Sequence, residues 1–200
     1  MSVSKTKAIE LADAVHTFLS NLDNVPLSRF LANWPSQPYN TRELAPHSLP
    51  VVACLPMLAG AADKRTAVIV KKLAAAAKLL FWGQTYTQAD FGQDFLQNYG
   101  WTELIGLRGP IASGVIACGF LLLGPDALYP CHSHTAEEIY LPLSSPTFWT
   151  QGEDDWVSRP RGRPIYHRSG LAHGMRTAST PLLALYLWRG GDLTQKSQIK

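Results

Sequence analysis

Along the first hundred residues the apolar positions recur three and four apart; beyond them they come in short runs broken by glycine and proline. In AIELADAVHTFLSNL (8–22), Ile9, Ala12, Val15, Leu19 and Leu22 form one stripe with Glu10, Asp13 and Thr17 away from it, which predicts an amphipathic helix. DKRTAVIVKKLAAAAKLLFWG (63–83) repeats the pattern through Ala67, Val70, Ala74, Ala77 and Phe81, with Asp63 as cap and Gly83 as stop. A further helix is predicted between about Thr87 and Tyr99, ended at Gly100. From about Thr102 the runs become ELIGLRGP, GVIACGFLLLGP, EEIYLPL, PTFWTQGEDDW, RPIYHRSG and LLALYLWRGG. Strands this short, with turn residues this dense, predict a sandwich or small barrel. The expected class is therefore α+β, with a helical region at 1–101 and a β-barrel at 102–194.

Composition narrows the classes. The 200 residues are 46% hydrophobic and 16% charged, enough to bury a core without disulfide or metal staples and too apolar for a disordered chain. The net charge of +3 is gathered only in the Lys64–Lys78 segment and the Arg159–Arg168 loop, so no dedicated nucleic-acid surface is indicated, while a small anionic substrate is compatible. Cys54, Cys118 and Cys131 are odd in number and far apart, which argues against a disulfide framework or a thiolate zinc site and for a reducing compartment. Glu10, Asp13 and His16 interrupt any leader-like apolar run, and no stretch approaches the roughly 18 residues of a membrane span. The expectation is a cytoplasmic protein without a membrane partner.

The candidate chemistry sits in YPCHSHTAEEIYLPL (129–143), a run that reads as β-strand. On a strand, residues two apart share a face, so His132 and His134 point together, as do Glu138 and Tyr140. Two imidazoles and a carboxylate suit Zn, Fe(II), Mn, Ni or Co. Of the other histidines, His16 falls in a helix and His47 in a proline-rich loop; His167 and His173 fall on later strands, and His173 follows the turn SGLA. A His-x-His alone is more often surface decoration than a site; Glu138 and His173 at these separations turn the balance toward metal. Glu137 should face away and be solvated, His167 reads as a neighbour of the ligands or a core histidine, and Cys131 is out of phase with His132. Tyr140 would stand beside the metal, where a dication could lower a phenol pKa from about 10 and make a general base.

The order Gly124, His132-x-His134-x-x-x-Glu138, then Gly162, Arg168, Gly170, His173 and Thr177 resembles the two motifs of the cupin family. It departs by two extra residues before His132, by Ser145 and Thr177 where glycine and asparagine are usual, and by Arg168 where proline is usual. With the helical N-terminal half and the run HSHTAEEIYLPLSS, the chain resembles the cupin-type dimethylsulfoniopropionate (DMSP) lyases of marine bacteria, closest to the DddQ type. That resemblance implies a carbon–sulfur lyase that splits DMSP into dimethyl sulfide and acrylate by β-elimination. It implies one divalent metal (Fe, Zn or Mn) on His132, His134, Glu138 and His173, with Tyr140 as base and Tyr129 lining the substrate pocket. Pro130 would break the strand alternation between Tyr129 and His132. Trp149, Tyr166, Tyr186 and Trp188 are further aromatic faces for a sulfonium.

The implied partner is the zwitterion alone, with no nucleic acid, in a monomer or homodimer. Two alternatives compete: a cupin dioxygenase or isomerase acting on a small acid, and an effector-binding regulator. The second is disfavoured by a 64–81 helix whose face is spent on Ala, Val and Leu and whose lysines are scattered. The SRPRGRP loop (158–164) reads as a solvated hairpin. The N-terminal helices either close the barrel mouth, supplying aromatics such as Trp34 or Tyr39, or bury a dimer surface.

Overall fold

The computed structural model describes residues 2–144 and 147–200; Ser145, one of the motif departures, lies outside them. Five α-helices come first: α1 (Val3–Ser20), α2 (Val25–Leu31), α3 (Leu55–Gly60), α4 (Ala67–Ala76) and α5 (Gln88–Gln97). Their starts follow from side chains that accept otherwise unpaired N–H groups. Ser2 Oγ accepts from the Lys5 N–H, and Asn24 Oδ1 from the Leu27 N–H. At α5 the Thr87 N–H donates to Asp90 Oδ2 at 2.7 Å. No helix of the described residues is long and apolar enough to cross a membrane.

Eleven strands follow: β1 (Tyr99–Gly106), β2 (Ile111–Ala112), β3 (Ile116–Leu123), β4 (Leu128–Ser133), β5 (Glu137–Pro142), β6 (Thr147–Gln151), β7 (Val157–Arg159), β8 (Ile165–His167), β9 (His173–Thr177), β10 (Leu182–Arg189) and β11 (Gln198–Ile199). They form a six-stranded sheet in the order β2-β1-β3-β10-β5-β8 and a five-stranded sheet in the order β11-β4-β9-β6-β7. Apart from the short β1–β2 pair, neighbours are antiparallel. This is the expected α+β arrangement of helices followed by a cupin barrel.

The six-stranded sheet is buried on both faces, which is why all eight residues of β3 are buried and its sequence does not alternate. Phe120, Leu122, Leu141, Leu183, Leu185 and Leu187 face outward into one cluster with Leu11, Val15, Leu19, Phe30 and Leu73 of the helices. Leu121, Leu123, Tyr140, Ala184 and Tyr186 face inward and meet Tyr129, Trp149 and Met175 from the other sheet.

Several expectations shift. The strands begin at Tyr99 and close with Gln198–Ile199, so they overrun both ends of 102–194, and Gly83 bridges Trp101 at the sheet edge rather than ending a helix. In α4 the buried stripe is Ile69, Val70, Leu73 and Ala76, rotated from the predicted one, and Phe81 is 40% exposed. An alanine-rich helix carries little phase information, so packing against α1 and α3 decides its face. Residues 129–143 are not one strand but two, β4 and β5, in different sheets. Trp34 and Tyr39 stay away from the barrel cavity: Trp34 packs on His16 at 5.0 Å between ring centroids, and the Tyr39 hydroxyl donates to Asp13 at 2.8 Å. Thr177 fills the position where asparagine was usual: its hydroxyl donates to the Gly124 carbonyl at 2.7 Å and accepts from the Ala127 N–H at 2.8 Å, tying the turn before β4 to β9.

Leu185 is fully buried where the sheet meets the helices. Leu185→Ala should lower the unfolding free energy by about 2–5 kcal/mol in a urea titration, the cost of a large cavity.

Candidate metal centre

His132 on β4 stands directly opposite His173 on β9, so both rings enter the barrel from one sheet. His134 follows the end of β4, in the turn that crosses to the other sheet, and Glu138 enters from β5. His132, His134 and His173 form a buried group able to hold a metal ion, with one ring nitrogen from each lying within 4.8 Å of the others. Glu138 Oε2 lies 2.9 Å from His134 Nε2 and 3.0 Å from His173 Nε2. Two ligand atoms each about 2.1 Å from a metal and at right angles to one another are about 3.0 Å apart, so this spacing suits coordination.

The ring tautomers test the fit. Nδ1 of His132, His134 and His173 lies 2.9, 3.0 and 2.9 Å from the carbonyls of Pro130, Ala136 and Leu171. A carbonyl only accepts, so each Nδ1 carries the proton and each Nε2 presents a lone pair. Neutral imidazoles in that tautomer have nothing to donate to Glu138. The 3.0 Å approach of His173 Nε2 to the carboxylate is accordingly not a hydrogen bond, and that nitrogen is buried without a partner. Lone pairs converging on a buried carboxylate call for a cation among them. Burial, followed by the nearby His173, pushes His132 down to about 3, so it is neutral and ready to ligate. For Glu138 burial acts upward, but the adjacent His134 and His173 outweigh it and hold the carboxyl well below its usual range, so it stands as a carboxylate.

The second layer was harder to anticipate. Trp188 faces Glu138 across the β5–β10 pair and donates its indole N–H to Oε1 at 2.6 Å, leaving Oε2 for the histidines. His167 is not in the triad but stacks on His173, with centroids 4.1 Å apart. Gln151 Nε2 lies 3.1 Å from His167 Nδ1 and 2.8 Å from the Tyr166 carbonyl, while Gln151 Oε1 accepts from Arg159 at 3.2 Å. Those partners fix the amide, so Nδ1 of His167 accepts and the proton sits on Nε2, which is buried without a partner. Glu137 faces away as expected, yet it is engaged rather than merely solvated: Arg189 Nε is 2.7 Å from it and the Tyr166 hydroxyl donates to it at 2.8 Å.

Tyr140 follows Glu138 on the same strand face and stands between Trp149 and the histidines, 5.2 Å from Trp149, 6.0 Å from His167 and 6.1 Å from His173 by ring centroids. Burial and then the Glu138 charge push its phenol well above the ordinary value. Tyr129 stacks on His132 at 4.1 Å and 10°, made possible by a register shift between Tyr129 and His132, the break placed at Pro130. Its hydroxyl pairs with that of Tyr86 at 2.8 Å.

These groups border a cavity of about 50 Å³ lined by His132, Tyr129, Tyr140, Tyr186, Trp188 and Trp101, among others. That is room for a few waters or one small molecule. Of the five candidate aromatics, Tyr129, Tyr186 and Trp188 border it, Trp149 lies in the packed interior, and Tyr166 turns outward to Glu137. Sequence reading missed Tyr99, Trp101 and Glu103 in its wall, and Tyr86 packed behind Tyr99 and Tyr129. Glu103 pointed inward only because β1 is a strand, a phase that was readable; nothing local said that the inward face at that point was a cavity.

A family model described as "Dimethlysulfonioproprionate lyase" matches residues 27–184. The chain is 37% identical over 117 residues to dimethylsulfoniopropionate lyase DddQ of Ruegeria pomeroyi, a match spanning 58% of this chain and 58% of that one. Among solved structures, it superposes on one from "Crystal structures of DMSP lyases RdDddP and RnDddQII" with a TM-score of 0.88 and 28% identity, over 98% of this chain and 99% of that one. It superposes on the crystal structure of DMSP lyase DddQ from Ruegeria pomeroyi with a TM-score of 0.81 and 26% identity, over 100% and 98% of the two chains. Taken with the helical layer and the two-sheet barrel, the family match over most of the chain leads to one conclusion: it belongs to the dimethylsulfoniopropionate lyase family.

Proposed function

We propose that this protein is a carbon–sulfur lyase that cleaves DMSP to dimethyl sulfide and acrylate. In this reading His132, His134, Glu138 and His173 hold one divalent ion, Tyr140 is the base and Tyr129 lines the substrate's seat. The observation that carries it is the placement of Tyr140: a buried phenol two residues beyond Glu138 on the same strand face, bordering a small aromatic cavity that His132 also borders. The donor set suits Fe(II), Zn or Mn. Bound there, such an ion supplies a Lewis acid for a carboxylate oxygen and a positive charge that favours the phenolate.

The side chains supply the rest. Tyr129, stacked on His132 and fixed through its hydroxyl to Tyr86, walls the cavity against α5. Trp188 offers an indole face to a cation while its N–H keeps Glu138 in orientation. Tyr140 Oη takes the proton from the carbon next to the substrate carboxylate. That electron pair becomes the new carbon–carbon double bond as the β carbon–sulfur bond breaks, and the sulfur leaves with its pair as neutral dimethyl sulfide. A neutral leaving group needs no acid. The buried aromatic lining keeps water from the developing charge.

With Fe(II), Mn(II) or Zn(II) supplied, the purified protein should release dimethyl sulfide from DMSP into the headspace; no release with any of the three would overturn the reading. Tyr140→Phe should lower turnover by at least about 100-fold, the scale of a lost general base, with metal content unchanged. Activity close to wild type in that variant would remove Tyr140 as base and leave the reaction standing. Trp188→Phe, which removes the donor to Glu138 and keeps an aromatic ring, should weaken metal affinity about 10- to 100-fold in chelator competition. His173→Ala should abolish stoichiometric metal binding.

A further inference from the structure

Across the six-stranded sheet, register puts Glu103 opposite Gly119, Gly119 opposite Tyr186, and Tyr186 opposite Tyr140. Residues directly opposite share a face, so this row crosses the inner wall of the barrel from β1 to β5, about 14 Å at the usual strand spacing. Gly119 leaves a gap in the row, and the Tyr186 hydroxyl leans over it: a Cβ on Gly119 would stand 2.8 Å from that oxygen. Glu103, Tyr186, Trp101 and Trp188 border the same cavity as Tyr140 and His132.

Glu103 is a carboxyl-bearing residue only 6% exposed, in a wall that also carries Trp101, Tyr186 and Trp188. Its Oε1 accepts from the Arg108 N–H at 2.6 Å and the Gly109 N–H at 2.9 Å, which holds the turn after β1. Its Oε2 has no hydrogen-bond partner among the described residues. The nearby cations are committed to carbonyls: Arg108 donates to Thr194 at 2.6 Å and lies over Trp101 at 5.5 Å, Arg42 donates to Gly109 at 2.7 Å and Gly106 at 3.1 Å, and among the described residues neither forms an ion pair with Glu103. The turn needs one oxygen as an acceptor but does not need a charge. A buried carboxyl with no direct ion pair, beside indole and phenol faces, matches a cation that cannot donate hydrogen bonds.

We propose that Glu103 is the counter-charge for an onium group, so that the cavity selects a zwitterion, with its carboxylate at the histidines and its cation between Glu103, Tyr186 and the tryptophans, over an acid of equal size with an uncharged tail. The proposal deepens the lyase reading and rests on it for the placement of the carboxylate end. Glu103→Gln separates charge from structure, because the amide oxygen still accepts from Arg108 and Gly109.

Two probes of equal size differ only in charge: 3-(trimethylammonio)propanoate, whose amine leaves far less readily than dimethyl sulfide, and 4,4-dimethylpentanoate. Calorimetry on the metal-loaded wild type should show the ammonium acid binding more tightly. In Glu103→Gln that preference should shrink by about tenfold, the scale of one charge pair in a partly buried site, through loss of the ammonium acid alone. Glu103→Asp, which keeps the charge, should retain much of it. For DMSP itself, Glu103→Gln should raise KM with kcat within about twofold. No preference in the wild type, no binding of either acid, or equal weakening of both in Glu103→Gln overturns the proposal. If the preference appears and depends on Glu103 while no dimethyl sulfide is released, the lyase reading falls and the onium site stands. If dimethyl sulfide is released and Glu103→Gln changes neither KM nor preference, the onium site alone falls.

Discussion

The desolvated carboxylate of Glu138 is the constraint around which the barrel interior is organised. Taking a carboxylate out of water costs several kcal/mol even after relaxation, and three imidazoles surround it with their lone pairs rather than their protons turned inward. One oxygen is satisfied by Trp188. The other is left to whatever positive charge lies between His134 and His173. The rest follows from keeping that arrangement dry and in place: Tyr129 stacked on His132, His167 stacked on His173, and Gln151 and Arg159 holding the outer edge of His167.

The six-stranded sheet makes this possible by being apolar on both faces. One face meets the helices through leucines, and the other presents tyrosines and tryptophans to the cavity. The helical half is therefore mainly a second layer that buries the outside of the barrel. Among the described residues before β1, Thr85 borders the cavity, and behind its wall Tyr86 and Phe95 pack on Tyr99 and Tyr129, with Phe91 on Tyr86.

What the sequence revealed was what is local in the chain. The candidate site stood out because His132, His134, Glu138 and Tyr140 lie within nine residues at even spacings, and the structure brings the three histidines His132, His134 and His173 together. Even the irregular phase of Tyr129 could be tied to Pro130, and the order of helices before strands was visible in the change of period near residue 100. What was not legible is what depends on which strand lies beside which. Trp188 faces Glu138 from fifty positions further along the chain, and Glu103 joins Tyr186 in one row only through Gly119. The face of α4 escaped for a different reason: with alanine on most sides, its own pattern did not single out a buried edge. Trp34 and Tyr39 show the complementary error, since being aromatic says nothing about which side of a helical layer a residue occupies.

His132 and His173 belong to one sheet and Glu138 to the other, with His134 in the turn between. The site is thus a gauge of how the two halves of the barrel sit against each other. Close-packed interiors transmit displacement rather than absorb it, and misplacing a reacting group by an ångström can cost about 100-fold in rate. A substitution under α2 or α4 that lets one sheet slide slightly would leave the fold intact and its spectrum unchanged, yet it would part the carboxylate from the imidazoles. In a random mutant library, the inactive variants should therefore trace the seam between the sheets and the helical backing behind it, well beyond the residues that line the cavity.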